Sequence, residues 1–211
     1  MVKLIAIVRG VKKEYIKSIF EILLENEIND IEVSLSEETM GLECISVAEK
    51  AFKNTPLNLG VGTVKNMRQV DLALQAGAQY IIMPGWDENV VKYILSKSIE
   101  VIPGVFSPAE VMQADNLNIK LVKLFPADFL GPKYVKALRG PFPGIQFLAV
   151  GGVELNTVEE FLKGGFAGFG LGSCLVPRGA TSKDIDLIDK NAKEFKKIIQ
   201  KFEENSIKSE I

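Results

Sequence analysis

The chain has 211 residues, of which 47% are apolar and 25% charged, and its net charge is −2. This length predicts one large domain or two small ones, and the composition excludes an intrinsically disordered protein. The nearly balanced charge favours neither nucleic acid nor an anionic membrane as a partner. Since no apolar run approaches the ~18 residues of a transmembrane helix, we expect no membrane-spanning segment.

Histidine is absent from the sequence, which excludes Ser-His-Asp catalysis and histidine-ligated metal sites. Acid–base chemistry would fall to Glu, Asp, Lys, Tyr or Cys, whereas magnesium held by carboxylates stays open. The two cysteines, Cys44 and Cys174, are too few for a disulfide scaffold and suit a reducing cytosol, so we expect a cytoplasmic protein. Neither lies in a basic sequence context, which favours core packing over reactivity.

Short β-rich runs alternate with longer amphipathic stretches along the whole chain. Successive runs start roughly 20–27 residues apart, which fits repeated strand–helix units. Several runs are apolar throughout, as is typical of parallel strands that are covered on both faces. The eight predicted strands are 4–8, 30–35, 57–64, 80–83, 100–103, 121–125, 146–150 and 168–171.

Eight such units without a linker predict an α/β fold, a compact (β/α)8 TIM barrel that forms a single domain over residues 1–211. An open doubly wound sheet is the structural alternative. Ser107, Pro108 and Glu110 form a helix start with an N-cap, a proline at N1 and a capping-box glutamate. The charged segment of about 184–202 predicts a C-terminal helix, and we expect residues 203–211 to be frayed.

Active sites of such barrels lie at the carboxyl ends of the strands. Lys123 lies there between apolar residues, and an inward lysine would lose water and acquire the low pKa of a Schiff-base nucleophile. Glu32 lies in another buried strand and could act as a general base. The structural alternative for both is a buried ion pair with no catalytic role, or a lysine at the barrel rim.

Further candidates follow other strands. Gly151 and Gly152 follow the seventh strand and Gly172 and Ser173 the eighth, where backbone N–H groups and a helix N-terminus commonly bind phosphate. These glycines could instead only make tight turns. After the third strand, Thr63 offers a hydroxyl group to a carboxylate. Arg9 ends the first strand, where it could bind a carboxylate or phosphate, or pair with a loop acid.

Over nearly its whole length the chain resembles the 2-keto-3-deoxy-6-phosphogluconate/4-hydroxy-2-oxoglutarate aldolases, a family that includes the phosphogalactonate aldolases. The segments that carry the resemblance are IAIVRG at 5–10, IEV at 31–33, GVGTV at 60–64, PG at 84–85, IPG at 102–104, VKLFPA at 122–127, GPFP at 140–143, GGV at 151–153 and GS at 172–173. The KLFP segment together with the spaced glycine motifs is specific to this family.

The resemblance implies a metal-independent, cofactor-free class I aldolase, usually a homotrimer, that acts on a phosphorylated keto sugar acid and on pyruvate. By position, Lys123 matches the Schiff-base lysine and Glu32 the acid–base glutamate. Thr63 matches the threonine that contacts the pyruvyl carboxylate. The phosphate loops correspond to Gly151, Gly152, Gly172 and Ser173, and the pocket lining to Ser36, Pro84, Phe125 and Val150.

Two positions depart from the family pattern. Ser36 stands where many members have arginine, so Arg9 is a candidate for binding the substrate carboxylate. Val150 stands where many gluconate-type members have threonine, and valine there is similar to the phosphogalactonate aldolases. The resemblance therefore implies cleavage of a gluconate-type substrate to pyruvate and glyceraldehyde 3-phosphate, and also cleavage of 4-hydroxy-2-oxoglutarate to pyruvate and glyoxylate. The alternatives are a galactonate-type aldolase, a metal-dependent phosphate-binding barrel or a non-catalytic one.

Overall fold

A computed structural model describes residues 2–209, with side chains through residue 206. Within this range it contains nine β-strands and eight α-helices. The strands are β1 (Lys3–Val8), β2 (Asp30–Ser34), β3 (Asn58–Gly62), β4 (Tyr80–Ile82), β5 (Glu100–Ile102), β6 (Gly104–Val105), β7 (Leu121–Leu124), β8 (Gln146–Val150) and β9 (Gly168–Leu171). The helices are α1 (Ile16–Glu25), α2 (Glu38–Phe52), α3 (Met67–Ala76), α4 (Glu88–Ser96), α5 (Pro108–Asn116), α6 (Ala127–Leu138), α7 (Val158–Lys163) and α8 (Ile185–Ser209).

All strand pairs are parallel, and the strands follow the spatial order β5-β4-β3-β2-β1-β9-β8-β7-β6. Because β6 directly continues β5 along the chain, the two ends of this order meet and the sheet forms a nearly closed barrel. The predicted (β/α)8 barrel is therefore confirmed, and the open doubly wound sheet is excluded.

The predicted fifth strand is divided into β5 and β6 by Pro103. Proline has no N–H group to donate to a neighbouring strand, so the ladder is interrupted at this residue. The Pro103 carbonyl still accepts a hydrogen bond of 2.9 Å from the Lys123 backbone N–H. This bond joins the two ends of the sheet beside β7 and brings the strand that carries Lys123 into the barrel wall.

Alternate residues of the strands point into the barrel. A separate apolar cluster fills this interior and consists of Ile5, Ile7, Tyr80, Ile82, Ile102, Leu148 and Val150. The intervening residues, such as Ala6, Val8, Val33 and Val61, belong to the larger core between strands and helices. Because side chains alternate with a period of two, Glu32 and Lys123 share the inward direction of Ile7 and Leu148, which are their neighbours in register.

The predicted helix signals at residue 107 are confirmed, since Ser107 and Glu110 form a capping box at the start of α5. The C-terminal helix is longer than predicted, because α8 runs to Ser209 rather than ending at about residue 202. Phe202 packs against the core, and Glu203 accepts a hydrogen bond from the Val2 backbone N–H. The helix thus continues through residues 203–209, which were expected to fray, while residues 210 and 211 of that prediction lie outside the described part of the chain.

No helix within residues 2–209 is both long and apolar enough to cross a membrane.

Candidate functional site

Lys123 and Glu32 lie on opposite sides of the barrel interior. In the sheet order, three strands separate β7 from β2 in one direction, namely β8, β9 and β1. Only 6% of Lys123 and 2% of Glu32 is exposed. The Lys123 Nζ atom lies 4.8 Å from the centroid of the Phe125 ring, in a cation–π arrangement. Both side chains therefore point into the barrel rather than toward solvent at its rim.

Burial shifts the pKa values of these two groups in opposite directions. Loss of hydration raises the pKa of Glu32, although the positive charges of Lys123 and Arg9 oppose this shift. Loss of hydration likewise lowers the pKa of Lys123, an effect that the Glu32 charge opposes and the Arg9 charge reinforces. Since each shift brings the group closer to neutral pH, the site holds an amine that loses its proton readily and a carboxyl that accepts one.

The position of the Glu32 carboxylate depends on a glycine of the neighbouring strand. Gly62 is paired with Ser34 in the ladder between β2 and β3. A Cβ atom at Gly62 would overlap Oε1, Cδ and Cγ of Glu32. The carboxylate therefore lies against the backbone of β3 in space that any other residue would fill.

Three hydroxyl groups cluster where β2 and β3 end. The Ser34 hydroxyl lies 2.8 Å from that of Ser36 and 2.9 Å from that of Thr63, and the Ser36 backbone N–H donates to Ser34 Oγ at 3.2 Å. Thr63 has a φ of 63°, a left-handed conformation that costs a threonine energy and is concentrated at functional sites. The cluster offers neutral hydrogen-bond donors at a position where the sequence predicts carboxylate binding.

A cavity of about 260 Å³ opens at the same end of the barrel. Seven of the predicted site residues line this cavity, together with six others. Its lining consists of Ile7, Arg9, Phe125, Val150, Gly151, Gly152, Val153, Glu154, Gly170, Gly172, Ser173, Cys174 and Val176. Arg9, an exposed residue, reaches this cavity and also acts electrostatically on both Lys123 and Glu32.

The glycine loops of this cavity have the backbone geometry expected of turns that present N–H groups. Gly151 and Gly152 have φ values of 92° and 69°, and an added Cβ at Gly172 would meet no atom within 4 Å. One element of the expected phosphate site is missing, because no helix starts directly at either loop. The helix α7 begins at Val158 and α8 at Ile185, since turns intervene after both strands.

Five predicted residues lie outside the lining of this cavity. They are Lys123, Glu32, Thr63, Ser36 and Pro84. Phe125 connects the two parts of the site, because it lines the cavity and its ring faces Lys123 Nζ. Pro84 follows β4, where its backbone packs so closely on Gly104 that a Cβ atom there would clash.

Several residues of this region did not emerge as site residues from the sequence. Ser34 could have been found, because it lies two positions after Glu32 and so points into the barrel as well. Glu154 lines the cavity, and Asp128 packs against Gly152. Nothing in the sequence indicates these two contacts, since they depend on how separate loops meet.

The cysteine residues have the chemistry of buried thiols. Burial raises the pKa of both Cys44 and Cys174 to about 11, so each is protonated at neutral pH. Across the residues that the structure describes, no three Cys, Asp or Glu side chains are grouped so that they could hold a metal ion.

The sequence of residues 1–191 matches the profile of the KDPG and KHG aldolase family. The chain belongs to this family. Members of this family are lyases that act on phosphorylated keto sugar acids and on pyruvate, and the site described above is accordingly a candidate aldolase active site.

The relatives of this chain include aldolases named for the galactonate-type substrate and aldolases named for the gluconate-type substrate. A probable 2-dehydro-3-deoxy-6-phosphogalactonate aldolase of Rhizobium meliloti is 32% identical over 86% of this chain and 85% of its own length. The KHG/KDPG aldolase of Escherichia coli is 34% identical over 77% of this chain and 78% of its own. A crystal structure of the Legionella pneumophila KDPG aldolase, with pyruvate captured as a covalent carbinolamine intermediate, superposes with a TM-score of 0.80, at 26% identity and 92% coverage of both chains.

The contact between Gly62 and Glu32 predicts a separation of activity from stability. We expect Gly62→Ala to lower kcat/KM for aldol cleavage about 100-fold, because its methyl group displaces the carboxylate. The thermal midpoint should fall little, since the overlapping atoms belong to the end of a flexible side chain. Steady-state kinetics and thermal unfolding measure the two effects.

Gly144→Ala is the matched control for this variant. An added Cβ at Gly144, before β8, would meet only the Lys120 Nζ atom at 3.8 Å, so activity and stability should both be retained. Full activity of Gly62→Ala would contradict the assigned role of the close contact.

Proposed function

We propose that this protein is a class I aldolase that reversibly cleaves a phosphorylated 2-keto-3-deoxy sugar acid of the gluconate type to pyruvate and glyceraldehyde 3-phosphate. The observation that carries the proposal is the buried Lys123 amine, which shares the barrel interior with the Glu32 carboxyl and lies beside a cavity lined by glycine loops. The same machinery would cleave 4-hydroxy-2-oxoglutarate to pyruvate and glyoxylate.

The reaction begins when the neutral Lys123 amine attacks the C2 carbonyl carbon and water leaves, which gives an iminium ion. Glu32, directly or through a water molecule, removes the proton of the C4 hydroxyl group. The C3–C4 bond then breaks, the aldehyde departs, and the bonding electrons move to the iminium nitrogen to form an enamine. Protonation at C3 and hydrolysis release pyruvate and the free amine. Since the iminium accepts the electrons, the scheme uses neither a metal nor a cofactor.

Substrate binding divides between the two parts of the site. Thr63 and Arg9 bind the pyruvyl carboxylate, with Ser34 and Ser36 completing the hydroxyl cluster that fixes Thr63. The phosphate is bound by the loops of Gly151, Gly152, Gly172 and Ser173, and Phe125 and Val150 form part of the cavity wall. Pro84 packs on Gly104 outside this cavity, and we propose that it borders the keto-acid end of the substrate. Phosphate binding far from the breaking bond positions the C3–C4 bond between Lys123 and Glu32.

Covalent trapping tests this mechanism directly. We expect pyruvate and borohydride to leave one stable adduct on Lys123, detectable by peptide mass spectrometry, because reduction fixes the iminium. Because burial lowers the pKa of Lys123, trapping should proceed at a pH below the usual lysine pKa of 10.5. The Lys123→Ala variant should form no adduct and lose roughly 10³-fold or more of kcat/KM.

Lys120→Ala is the control, because Lys120 is an exposed lysine whose side chain pairs with Asp115; it should trap pyruvate like the unaltered protein. An active enzyme without an adduct on Lys123 would refute the mechanism. Loss of activity in EDTA that Mg²⁺ restores would indicate the metal-dependent alternative, and ligand binding without turnover would indicate the non-catalytic one.

The galactonate-type substrate is the second candidate, and Val150 is the residue that favours it. Val150 is a buried part of the cavity wall and packs against Gly170. The two substrates differ in configuration at C4, and a wall without a hydroxyl group there cannot bond to the C4 oxygen. The name of the Rhizobium meliloti relative also belongs to the galactonate type.

The exchange Val150→Thr tests the role of this wall. We expect it to raise the ratio of kcat/KM for the gluconate epimer over the galactonate epimer by about 10-fold or more, within the ~1–3 kcal/mol that such a contact supplies. Val153→Thr is the matched control, because Val153 also lines the cavity, three residues further along the chain. An unchanged ratio in Val150→Thr would exclude this position as the determinant.

We further propose that the protein is a cytoplasmic homotrimer. Exposed apolar side chains support an assembly: 81% of Phe129, 51% of Met112 and 43% of Phe106 is exposed. They lie on consecutive segments around α5 and α6, which the hydrogen bond from the Tyr134 hydroxyl to the Phe106 carbonyl ties together. Apolar side chains that cluster on a surface commonly mark an interface.

Removal of the most exposed of these side chains tests the assembly. We expect the unaltered protein to sediment as a trimer and Phe129→Asp to shift it toward the monomer, because a charge would be buried in the interface. Leu187→Asp is the control, since Leu187 is an exposed apolar residue on α8. A monomeric unaltered protein, measured by analytical ultracentrifugation, would contradict the trimer.

A further inference from the structure

Tyr80 is a polar residue in the apolar interior of the barrel. It points inward from β4, is 1% exposed, and shares its cluster with aliphatic side chains such as Ile7 and Ile82. Its hydroxyl group has no hydrogen-bond partner among the described residues. Buried hydroxyl groups nearly always have a partner, and phenylalanine would fill the same space without needing one.

The Tyr80 ring is directed from β4 toward β2. Gly60 is the register partner of Tyr80 on one side and of Glu32 on the other. A Cβ atom at Gly60 would overlap the Cζ atom of the ring, which carries the hydroxyl group. The hydroxyl end of Tyr80 therefore passes over β3 at a residue without a side chain, on the way to the strand of Glu32.

Glu32 carries the matching unsatisfied atom. Its Oε2 is buried and has no hydrogen-bond partner among the described residues. Glu32 is also the acid that acts most strongly on Tyr80, ahead of Asp30 and Glu100. Asp30 is already engaged, because its Oδ1 accepts hydrogen bonds from Lys3 Nζ at 2.8 Å and from Asn58 Nδ2 at 2.6 Å.

The charges that face Glu32 come from other strands. They are Lys123 on β7 and Arg9 after β1, while Asp30 lies two residues before it on β2. Glu100 on β5 acts on Tyr80 from the far side of β4 and is exposed to solvent. Among these groups, the Glu32 carboxylate is the acceptor that still lacks a donor.

Resting on the proposed function, we propose that Tyr80 is a positioning residue for Glu32. Its hydroxyl group donates a hydrogen bond to a bridging water molecule, which in turn donates one to the Glu32 carboxylate. This bond orients the carboxylate and stabilises its ionised form, which is the form that takes a proton from the substrate. Tyr80 itself does not touch the reacting atoms.

The sign of the effect follows from the direction of the hydrogen bond. A donor favours the charged form of a carboxyl group and so opposes the increase in pKa that burial causes. Removal of the donor lets the pKa of Glu32 rise further. Because Glu32 must be ionised to act as a base, the low-pH limb of the activity profile should then move to higher pH.

The experiment compares Tyr80→Phe with the unaltered enzyme. The control variant is Tyr93→Phe, because the Tyr93 hydroxyl group donates to Asp71 at the surface, away from the barrel interior. We expect Tyr80→Phe to shift the low-pH limb of kcat/KM upward by about 0.5–1 pH unit. Exchange of the pyruvate methyl protons with deuterium, followed by proton NMR, should slow about 3–10-fold at the acidic end. Thermal midpoints report whether the variants fold, and Tyr93→Phe should retain both the profile and the exchange rate.

Borohydride trapping of pyruvate separates this proposal from the proposed function. If the unaltered protein forms no adduct on Lys123, the proposed function fails. If Tyr80→Phe is folded, forms the adduct and has an unchanged pH profile and exchange rate, the role of Tyr80 alone fails. In a Glu32→Gln background, the substitution Tyr80→Phe should cause no further loss of kcat/KM. An additive loss of kcat/KM would show that Tyr80 does not act through Glu32.

Discussion

The burial of an amine and a carboxyl group within one apolar barrel is the constraint on which the rest of this structure depends. Lys123 and Glu32 each lose most of their hydration, and transfer of a charge out of water is costly unless the charge is paired or neutralised. This loss of hydration raises the pKa of Glu32 and lowers that of Lys123, although the opposite charge of each group opposes the shift of the other. The proposed imine chemistry depends on these shifts, because it requires an amine that loses its proton readily and a carboxyl group that accepts one.

The barrel makes room for this pair by an uneven distribution of side-chain volume. Strands β1, β4 and β8 contribute large inward side chains, whereas β3 and β9 contribute glycines. On β3, Gly60 and Gly62 leave the space that the Tyr80 ring and the Glu32 carboxylate occupy. On β9, Gly170 leaves space beside Val150 at the wall of the cavity. At a glycine, a side chain of the adjacent strand can extend over the backbone of the strand that carries the glycine.

Much of this arrangement could be predicted from the sequence, because it depends on local patterns. The strand–helix repeat predicted the barrel, and the strand ends predicted which residues would meet at one rim. The division of the fifth strand was missed, since Pro103 interrupts a ladder only in relation to its neighbours. The absence of a helix start after Gly152 and Gly172 was missed for a similar reason, because the turns that replace it follow from loop packing.

The interior contacts were beyond prediction from a single sequence for a different reason. Alternation predicts that Tyr80 and Glu32 both point inward, but it does not say that they share a layer. That relation requires the register, in which Gly60 is the partner of both residues. A glycine within a strand usually indicates a destabilised strand or a β-bulge. The role of Gly60 instead depends on the side chains of the two adjacent strands, since the Tyr80 ring occupies the space that a side chain at residue 60 would fill.

The balance of charge around the cavity limits how the proposed phosphate site, where no helix begins, would attract an anion. Of the described residues that line the cavity, Arg9 is the one cation and Glu154 the one acid, so their charges nearly cancel. Attraction must then come mainly from backbone N–H groups, which act only over short distances and in fixed directions. Binding of this kind contributes orientation more than long-range attraction. Orientation is what the proposed reaction needs, because a substrate anchored at its phosphate end would present its keto group to Lys123, which is confined within the barrel.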